Sequence, residues 1–339
     1  MTKSSPRESS SRVYRLHLES RRQQGYAFHF DENAWAAAAA RHPSLASCID
    51  ASFGWDGEQL DYALEDADFL LATRFSKPSV NAAPRLRWIH TGSAGVDQLM
   101  PLQELRDDII LTNSSGIHSD KANEYVQMAL LMLNSLFPAM AQNQRAHRWQ
   151  PELTTVIRGK TAVVIGFGDI GIAAGHAAQA LGVEVIAVTH SGRMAPGAPA
   201  GKVVPASRLD DVIGLADFVI VTAPLTPDTR NLLSAERQER MRTGAGIINI
   251  SRAGLVDYQA LLSRLHSGEC GGAVLDVFDQ EPLAPDAPYW DAPRLIVTPH
   301  ISCDASDYNQ RVLDVWFGNF QRFLNGHPLK NLVDRIRGY

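Results

Sequence analysis

Residues 161–193, TAVVIGFGDIGIAAGHAAQALGVEVIAVTHSGR, decide the fold. The apolar run Thr161–Ile165 reads as a buried parallel strand. It leads straight into Gly166-Phe167-Gly168-Asp169-Ile170-Gly171. An Ala-rich run then favours helix as far as Leu181, Gly182 stops it, and residues 183–188 read as a second strand. The result is a β-α-β unit with G-x-G-x-x-G at its first turn. In such a unit Gly166 makes the tight turn, Gly168 lets the backbone approach a pyrophosphate, and Gly171 lets helix pack on strand. The helix N-terminus, with unpartnered N–H groups and a partial positive charge, is suited to a diphosphate. Taken alone, the six residues are equally compatible with an ordinary Gly-rich turn. With both strands and the helix in place they indicate a dinucleotide site, with Gly166, Gly168, Asp169, Ile170 and Gly171 as its phosphate-binding residues.

Composition sets outer bounds. A chain of 339 residues is long enough for two ordinary domains, and 20% charged with 45% hydrophobic residues describes a globular protein. A formal net charge of -5 offers no basic footprint for nucleic acid. Three widely spaced cysteines, Cys48, Cys270 and Cys303, imply neither a disulfide framework nor a metal site, and suit a reducing cytoplasm. No apolar run reaches membrane-spanning length. The Ser-rich start, MTKSSPRESSSR, lacks the apolar core of a signal peptide and reads as a disordered tail over residues 1–12.

Strands are expected at 13–18, 68–72, 87–90 and 109–112, with helices at Glu32–Arg41 and Leu60–Leu64, which makes the first part an α/β unit in its own right. One long helix is expected over 119–147, with Ala122, Tyr125, Val126, Ala129, Leu130 and Leu133 at helical spacing. Residues 194–205 read as a surface loop. Further strands are expected at 218–222, 246–250, 271–277 and 295–298, each with a helix between, continuing a doubly wound parallel sheet. A last helix spans Tyr308–Leu324.

Three side chains sit just past expected strand ends, where an open α/β sheet places its ligand crevice. Arg252 follows the strand at 246–250, Glu281 lies after 271–277, and His300 follows 295–298. Converging beside a nicotinamide, they suit the interconversion of an alcohol and a ketone. A histidine moves the proton near neutral pH. A carboxylate on its other ring nitrogen sets the tautomer and favours the imidazolium. An arginine grips a substrate carboxylate with two parallel bonds and polarises the carbonyl. Singly, each is as well explained by a cap or salt bridge, a solvated loop acid, or a satisfied loop histidine.

Taken together with APRLRWIHTGSAGVDQL (83–99), LTNSSGIHSDKANEYVQMALL (111–131), GKTAVVIGFGDIG (159–171), TAPLTPDTRNLL (222–233), INISRAGLVDYQALLSRL (248–265), AVLDVFDQEPL (273–283) and VTPHIS (297–302), the chain resembles the D-isomer-specific 2-hydroxyacid dehydrogenase family over nearly its whole length. The resemblance implies Arg252 as the substrate-binding arginine, Glu281 as the partner that orients and charges the histidine, and His300 as general acid/base. It implies that the backbone of Ala94 and Gly95 holds the substrate carboxylate. It gives Asp276 the nicotinamide amide and sets Thr222, Pro224, Thr229, Ile250 and Ser302 along the cofactor groove. It further implies two Rossmann-like or flavodoxin-like domains with doubly wound parallel sheets. On the same resemblance the substrate domain is expected to be discontinuous (13–117 plus 303–339), the dinucleotide domain to span 118–302, and the protein to form a homodimer largely through its dinucleotide domains; the cysteine usage adds the expectation of a cytoplasmic location.

Two departures bear on function. NAD-preferring members end the second strand in an acid that accepts the ribose hydroxyls. Here the chain reads Val188-Thr189-His190-Ser191-Gly192-Arg193. Thr189, His190, Ser191 and Arg193 would welcome a 2′-phosphate, so NADP(H) is favoured over NAD(H), the alternative being that Arg193 simply points to solvent. Ser302-Cys303-Asp304 stand where many relatives have small residues; Cys303 reads as a space-filler, since the mechanism needs no thiol. The expected substrate is a small 2-oxo or 2-hydroxy acid, with glyoxylate and hydroxypyruvate as first candidates. Arg74 is either a second grip or a surface residue. The lack of a further C-terminal domain weighs against the longer phosphoglycerate dehydrogenases. A phosphite-type dehydrogenase of the same fold and a nucleotide-sensing corepressor-like protein stay open as alternatives.

Overall fold

A computed structural model describes residues 12–336; the expected tail therefore lies, except for Arg12, outside the described residues. The chain divides into two compact units, one made of residues 12–117 and 305–336, the other of His118–Asp304. Among the described residues no helix is long and apolar enough to cross a membrane.

The first unit holds five parallel strands, β1 (Tyr14–Ser20), β2 (Ile49–Trp55), β3 (Phe69–Ala72), β4 (Trp88–His90) and β5 (Ile110–Thr112), in the order β2-β1-β3-β4-β5. That is the flavodoxin-like order. Strand residues alternate between two cores, as a pleat requires. Leu16, Leu18, Phe69, Leu71 and Trp88 face one; Leu70, Ala72, Ile89 and Leu111 face the other. The helix Tyr308–Leu324 returns from the far end of the chain to cover the first of these. Its Trp316 stacks on Trp88 with ring centroids 5.4 Å apart. The sequence reading leaves β2 unassigned. It is an edge strand carrying Asp50, Ser52 and Gly54, and only Gly54 is buried.

The second unit holds seven parallel strands: β6 (Thr161–Ile165), β7 (Glu184–Thr189), β8 (Lys202–Pro205), β9 (Phe218–Val221), β10 (Gly246–Asn249), β11 (Gly272–Leu275) and β12 (Leu295–Val297). Their order is β12-β11-β10-β9-β6-β7-β8. The chain reverses direction across the sheet between β6 and β9, which is the switch point that opens a crevice at the carboxyl ends of the strands. Val163, Ile165, Val219, Val221 and Ile247 pack on one side; Ala162, Val164, Phe218, Ile220 and Ile248 pack on the other, against the helices Ser119–Asn134 and Asp169–Ala180.

Three expectations are corrected. The long helix over 119–147 is two helices, Ser119–Asn134 and Phe137–Arg145, parted at Leu136, whose φ is +54°. Pro138 explains the break, because it lacks an N–H and belongs in a first turn. The loop at 194–205 ends in β8, which pairs Ile186 with Lys202 and Thr189 with Pro205. Pro205 is tolerated there because β8 is an edge. No helix separates β11 from β12, and β7 and β9 are joined only through β8 and two short 3₁₀ turns.

Candidate active site

Each glycine of the 166–171 turn meets a different constraint. Gly166 has φ +89°, and a Cβ on it would lie 2.4 Å from the Ala223 backbone just past β9. A Cβ on Gly171 would lie 2.2 Å from the Gly166 carbonyl oxygen. A Cβ on Gly168 would meet nothing within 4 Å, so protein packing alone does not demand glycine there. Gly168 caps the helix Asp169–Ala180 without a side-chain hydrogen bond, leaving its first turn open to an anion. Thr222 Oγ1 donates to the Gly166 carbonyl oxygen (2.7 Å), tying the end of β9 to the turn. At the end of β7 the Thr189 hydroxyl oxygen is fully enclosed and has no hydrogen-bond partner, whereas His190, Ser191 and Arg193 are exposed. The open helix N-terminus behind Gly168 fits the diphosphate of a dinucleotide.

Other expected groove residues also make contacts within the chain. Thr229 Oγ1 donates to the Pro224 carbonyl (2.7 Å) and accepts from the Thr226 amide (2.7 Å), closing a turn. Ile250 is buried in the core beneath the sheet. Asp276 is fully buried, and its carboxylate binds the segment that carries His300. Oδ1 accepts from Thr298 Oγ1 (2.5 Å) and the Ile301 amide (3.0 Å), and Oδ2 accepts from the Ser302 amide (2.9 Å).

The acid/base candidates do meet. His300 Nδ1 lies 2.7 Å from Glu281 Oε2, and Glu281 Oε1 accepts from the Phe278 amide at 2.9 Å. The side chains are 48% and 36% exposed, so the imidazole is reachable while its carboxylate partner is held by backbone. His300 has φ +55°, a conformation that costs a non-glycine residue about 1–3 kcal/mol and persists only where its surroundings enforce it. Arg252 follows β10, half-buried, with Nη1 donating to the Ser251 carbonyl (2.8 Å). Its charge reaches His118 and Cys303.

In the first unit, Ala94 and Gly95 lie in the loop after β4. Asn113 Nδ2 donates to the Ala94 carbonyl (2.7 Å) and Ser93 Oγ to the Gly95 carbonyl (2.7 Å), which fixes the backbone of that loop.

Several groups that pattern reading passes over shape the site. Asn249 Nδ2 donates to the Arg252 carbonyl (3.0 Å) and to Tyr258 Oη (2.9 Å), which in turn donates to the Val277 carbonyl (2.8 Å). This buried chain couples the segment carrying Arg252 to the one carrying Glu281. His118 hydrogen-bonds the Cys303 carbonyl at 3.1 Å, and burial pushes its pKa below the usual histidine range. Burial raises the Cys303 thiol to about 11, which keeps it protonated and inert. Burial also raises Asp304 to about 6, against the opposing pull of His300. His118 lies in the quoted segment 111–131 without any signal that singles it out; the roles of Asn249 and Tyr258 depend on contacts between strands that no local pattern carries.

The model of the D-isomer specific 2-hydroxyacid dehydrogenase NAD-binding domain matches residues 127–302. D-3-phosphoglycerate dehydrogenase of Mycobacterium bovis is 32% identical over 265 residues, covering 76% of this chain and 49% of its own length. The chain thus spans about half the length of the first curated relatives it matches. Glyoxylate reductase of Thermofilum pendens is 29% identical over 290 residues, covering 82% of this chain and 84% of the relative. The crystal structure of an NADPH-dependent glyoxylate/hydroxypyruvate reductase from Sinorhizobium meliloti, in complex with NADP and sulfate, superposes with a TM-score of 0.79 at 25% identity, covering 96% of this chain and all of that one.

Proposed function

The chain belongs to the D-isomer-specific 2-hydroxyacid dehydrogenase family, and on that premise we propose that it is an NAD(P)-dependent reductase of small 2-oxo acids, glyoxylate and hydroxypyruvate foremost. The observation that carries this reading is the His300–Glu281 pair, 2.7 Å apart and open to solvent past the carboxyl ends of β11 and β12. When bound, the nicotinamide cofactor supplies or accepts the hydride. His300 delivers the proton to the carbonyl oxygen in reduction and takes it back in oxidation. Glu281 holds Nδ1 protonated and leaves Nε2 to the substrate. Arg252 grips the carboxylate through its planar fork and draws electron density from the carbonyl. The Ala94-Gly95 backbone is our assignment for a further hold on that carboxylate, and Asp276 for the nicotinamide amide.

Gly166, Gly168, Gly171 and the first turn of the Asp169–Ala180 helix would hold the diphosphate. NADP(H) is favoured because residues 189–193 contain no acid to repel a 2′-phosphate, while Ser191 and Arg193 are exposed there. The Sinorhizobium meliloti enzyme, similar in fold, is NADPH-dependent. We also assign the protein as a homodimer, supported by Trp149, Leu153 and Val156, which are 98%, 99% and 79% exposed in the arm that precedes β6.

His300→Asn tests the central role. It should lower kcat for 2-oxo acid reduction by about 10²–10⁴-fold and leave NADPH affinity within about twofold. Turnover near that of the parent would remove His300 from the chemistry; loss of NADPH binding would reassign it to the cofactor site.

A further inference from the structure

His300 sits between two points tied to the same carboxylate. On its N-terminal side Thr298 Oγ1 lies 2.5 Å from Asp276 Oδ1; on its C-terminal side the amides of Ile301 and Ser302 reach Oδ1 and Oδ2 at 3.0 and 2.9 Å. Gathering residues 298, 301 and 302 onto one buried group leaves the chain between them little length. The turn closes with the His300 amide donating to the Thr298 carbonyl at 3.1 Å and with His300 at φ +55°. That turn directs the imidazole to Glu281.

A second helix enters this arrangement. Tyr125, from Ser119–Asn134, places its hydroxyl 2.6 Å from Thr298 Oγ1. The direction of each bond follows from counting hydrogens. Asp276 accepts all three of its bonds, so the single hydroxyl hydrogen of Thr298 goes to Asp276, and Tyr125 must supply the hydrogen between itself and Thr298. Burial raises the pKa of Tyr125 and so keeps its phenol a donor. Tyr125 is buried at helical spacing with Ala122, Val126 and Ala129, which explains its ring but not its hydroxyl.

We propose that Tyr125 and Thr298 are positioning residues: the chain Tyr125 Oη–Thr298 Oγ1–Asp276 clamps the 298–302 turn and holds His300 in the left-handed conformation that presents it to Glu281 and the substrate. The catalytic consequence rests on the reading of His300 as general acid/base; the clamp itself does not.

Three variants test it. Thr298→Val keeps the shape and removes both bonds. Thr298→Ser restores the hydroxyl. Tyr125→Phe removes only the donor. For Thr298→Val we expect kcat to fall by about 10–100-fold with the cofactor KM within about twofold, because misplacement of a reacting group by about 1 Å costs about 10²-fold. Thr298→Ser should recover most of the activity, and Tyr125→Phe should lose several-fold. Independently of turnover, amide hydrogen exchange of Ile301 and Ser302 in the cofactor-free protein should accelerate at least tenfold in Thr298→Val and stay near the parent rate in Thr298→Ser. Unchanged exchange and unchanged kcat in Thr298→Val and Tyr125→Phe would overturn the clamp. Should Thr298→Val not fold, Tyr125→Phe carries the same two readouts. A parent protein inactive toward every 2-oxo acid would sink the functional reading instead, and the exchange rates would then decide the clamp alone.

Discussion

His300, Glu281 and Arg252 were all legible in the sequence as residues just beyond strand ends, and two of them meet at 2.7 Å in the fold. What stayed hidden at this scale is how the chain holds them. The left-handed His300, the buried Asp276 that binds its turn, and the Asn249–Tyr258 bridge arise from contacts between residues about 10 to 25 positions apart. Asp304 was legible only as a departure from small residues. It is a half-buried carboxyl near His300, raised to about 6 by partial burial. Its folded pKa lies above the unfolded value near 4, so the folded state binds more protons between those two values, and stability contributed by this group falls as pH rises from about 4 to about 6. The shift corresponds to at most about 3 kcal/mol, reduced to about 1 kcal/mol by residual solvent contact. Asp304→Asn should therefore match the parent in urea denaturation at pH 4 and exceed it by about 1 kcal/mol at pH 7. A difference that shrinks over that range would contradict the assignment.

At the scale of elements, the β-α-β unit was readable almost to the residue because β6 is a continuous apolar run and three glycines punctuate the turn after it. Elements that depend on distant partners were not. β2 and β8 are edge strands with half-polar sequences that become strands by pairing with β1 and β7. Leu136 carries no signal of its own for a helix break; Pro138 two residues later does. The glycine turn gives a paired prediction. Gly171→Ala drives a methyl to within 2.2 Å of the Gly166 carbonyl oxygen and should cost about 1–3 kcal/mol in thermal or urea unfolding. Gly168→Ala meets no protein atom and should unfold like the parent, yet weaken NADPH binding at least tenfold in a fluorescence titration. Equal NADPH affinity in Gly168→Ala and the parent would contradict a diphosphate at this turn.

For the whole molecule, the two parallel sheets follow from the alternation of strands and helices, while the return of residues 305–336 to the first unit rests on aromatic packing of Trp316, Phe317 and Phe320 that no local pattern announces. The exposed arm belongs to this scale too. A fully exposed tryptophan beside an equally exposed leucine is apolar surface that another copy of the chain would cover. Sedimentation should give a dimer for the parent and a monomer for the double variant Trp149→Asp, Leu153→Asp; a monomeric parent would refute the assembly.

The measurement closest to the central claim is an initial-rate assay following NADPH and NADH oxidation in parallel with glyoxylate, hydroxypyruvate, pyruvate and a bulkier phenyl-substituted 2-oxo acid. The expected result is turnover of at least one small 2-oxo acid, with kcat/KM for NADPH above that for NADH by roughly 10–100-fold, the value of one to two charge-assisted hydrogen bonds to a phosphate. Turnover with NADH alone would refute the phosphate reading of residues 189–193 and leave the His300–Glu281 site standing. No turnover with any acid and either cofactor would contradict the assignment as a 2-oxo acid reductase.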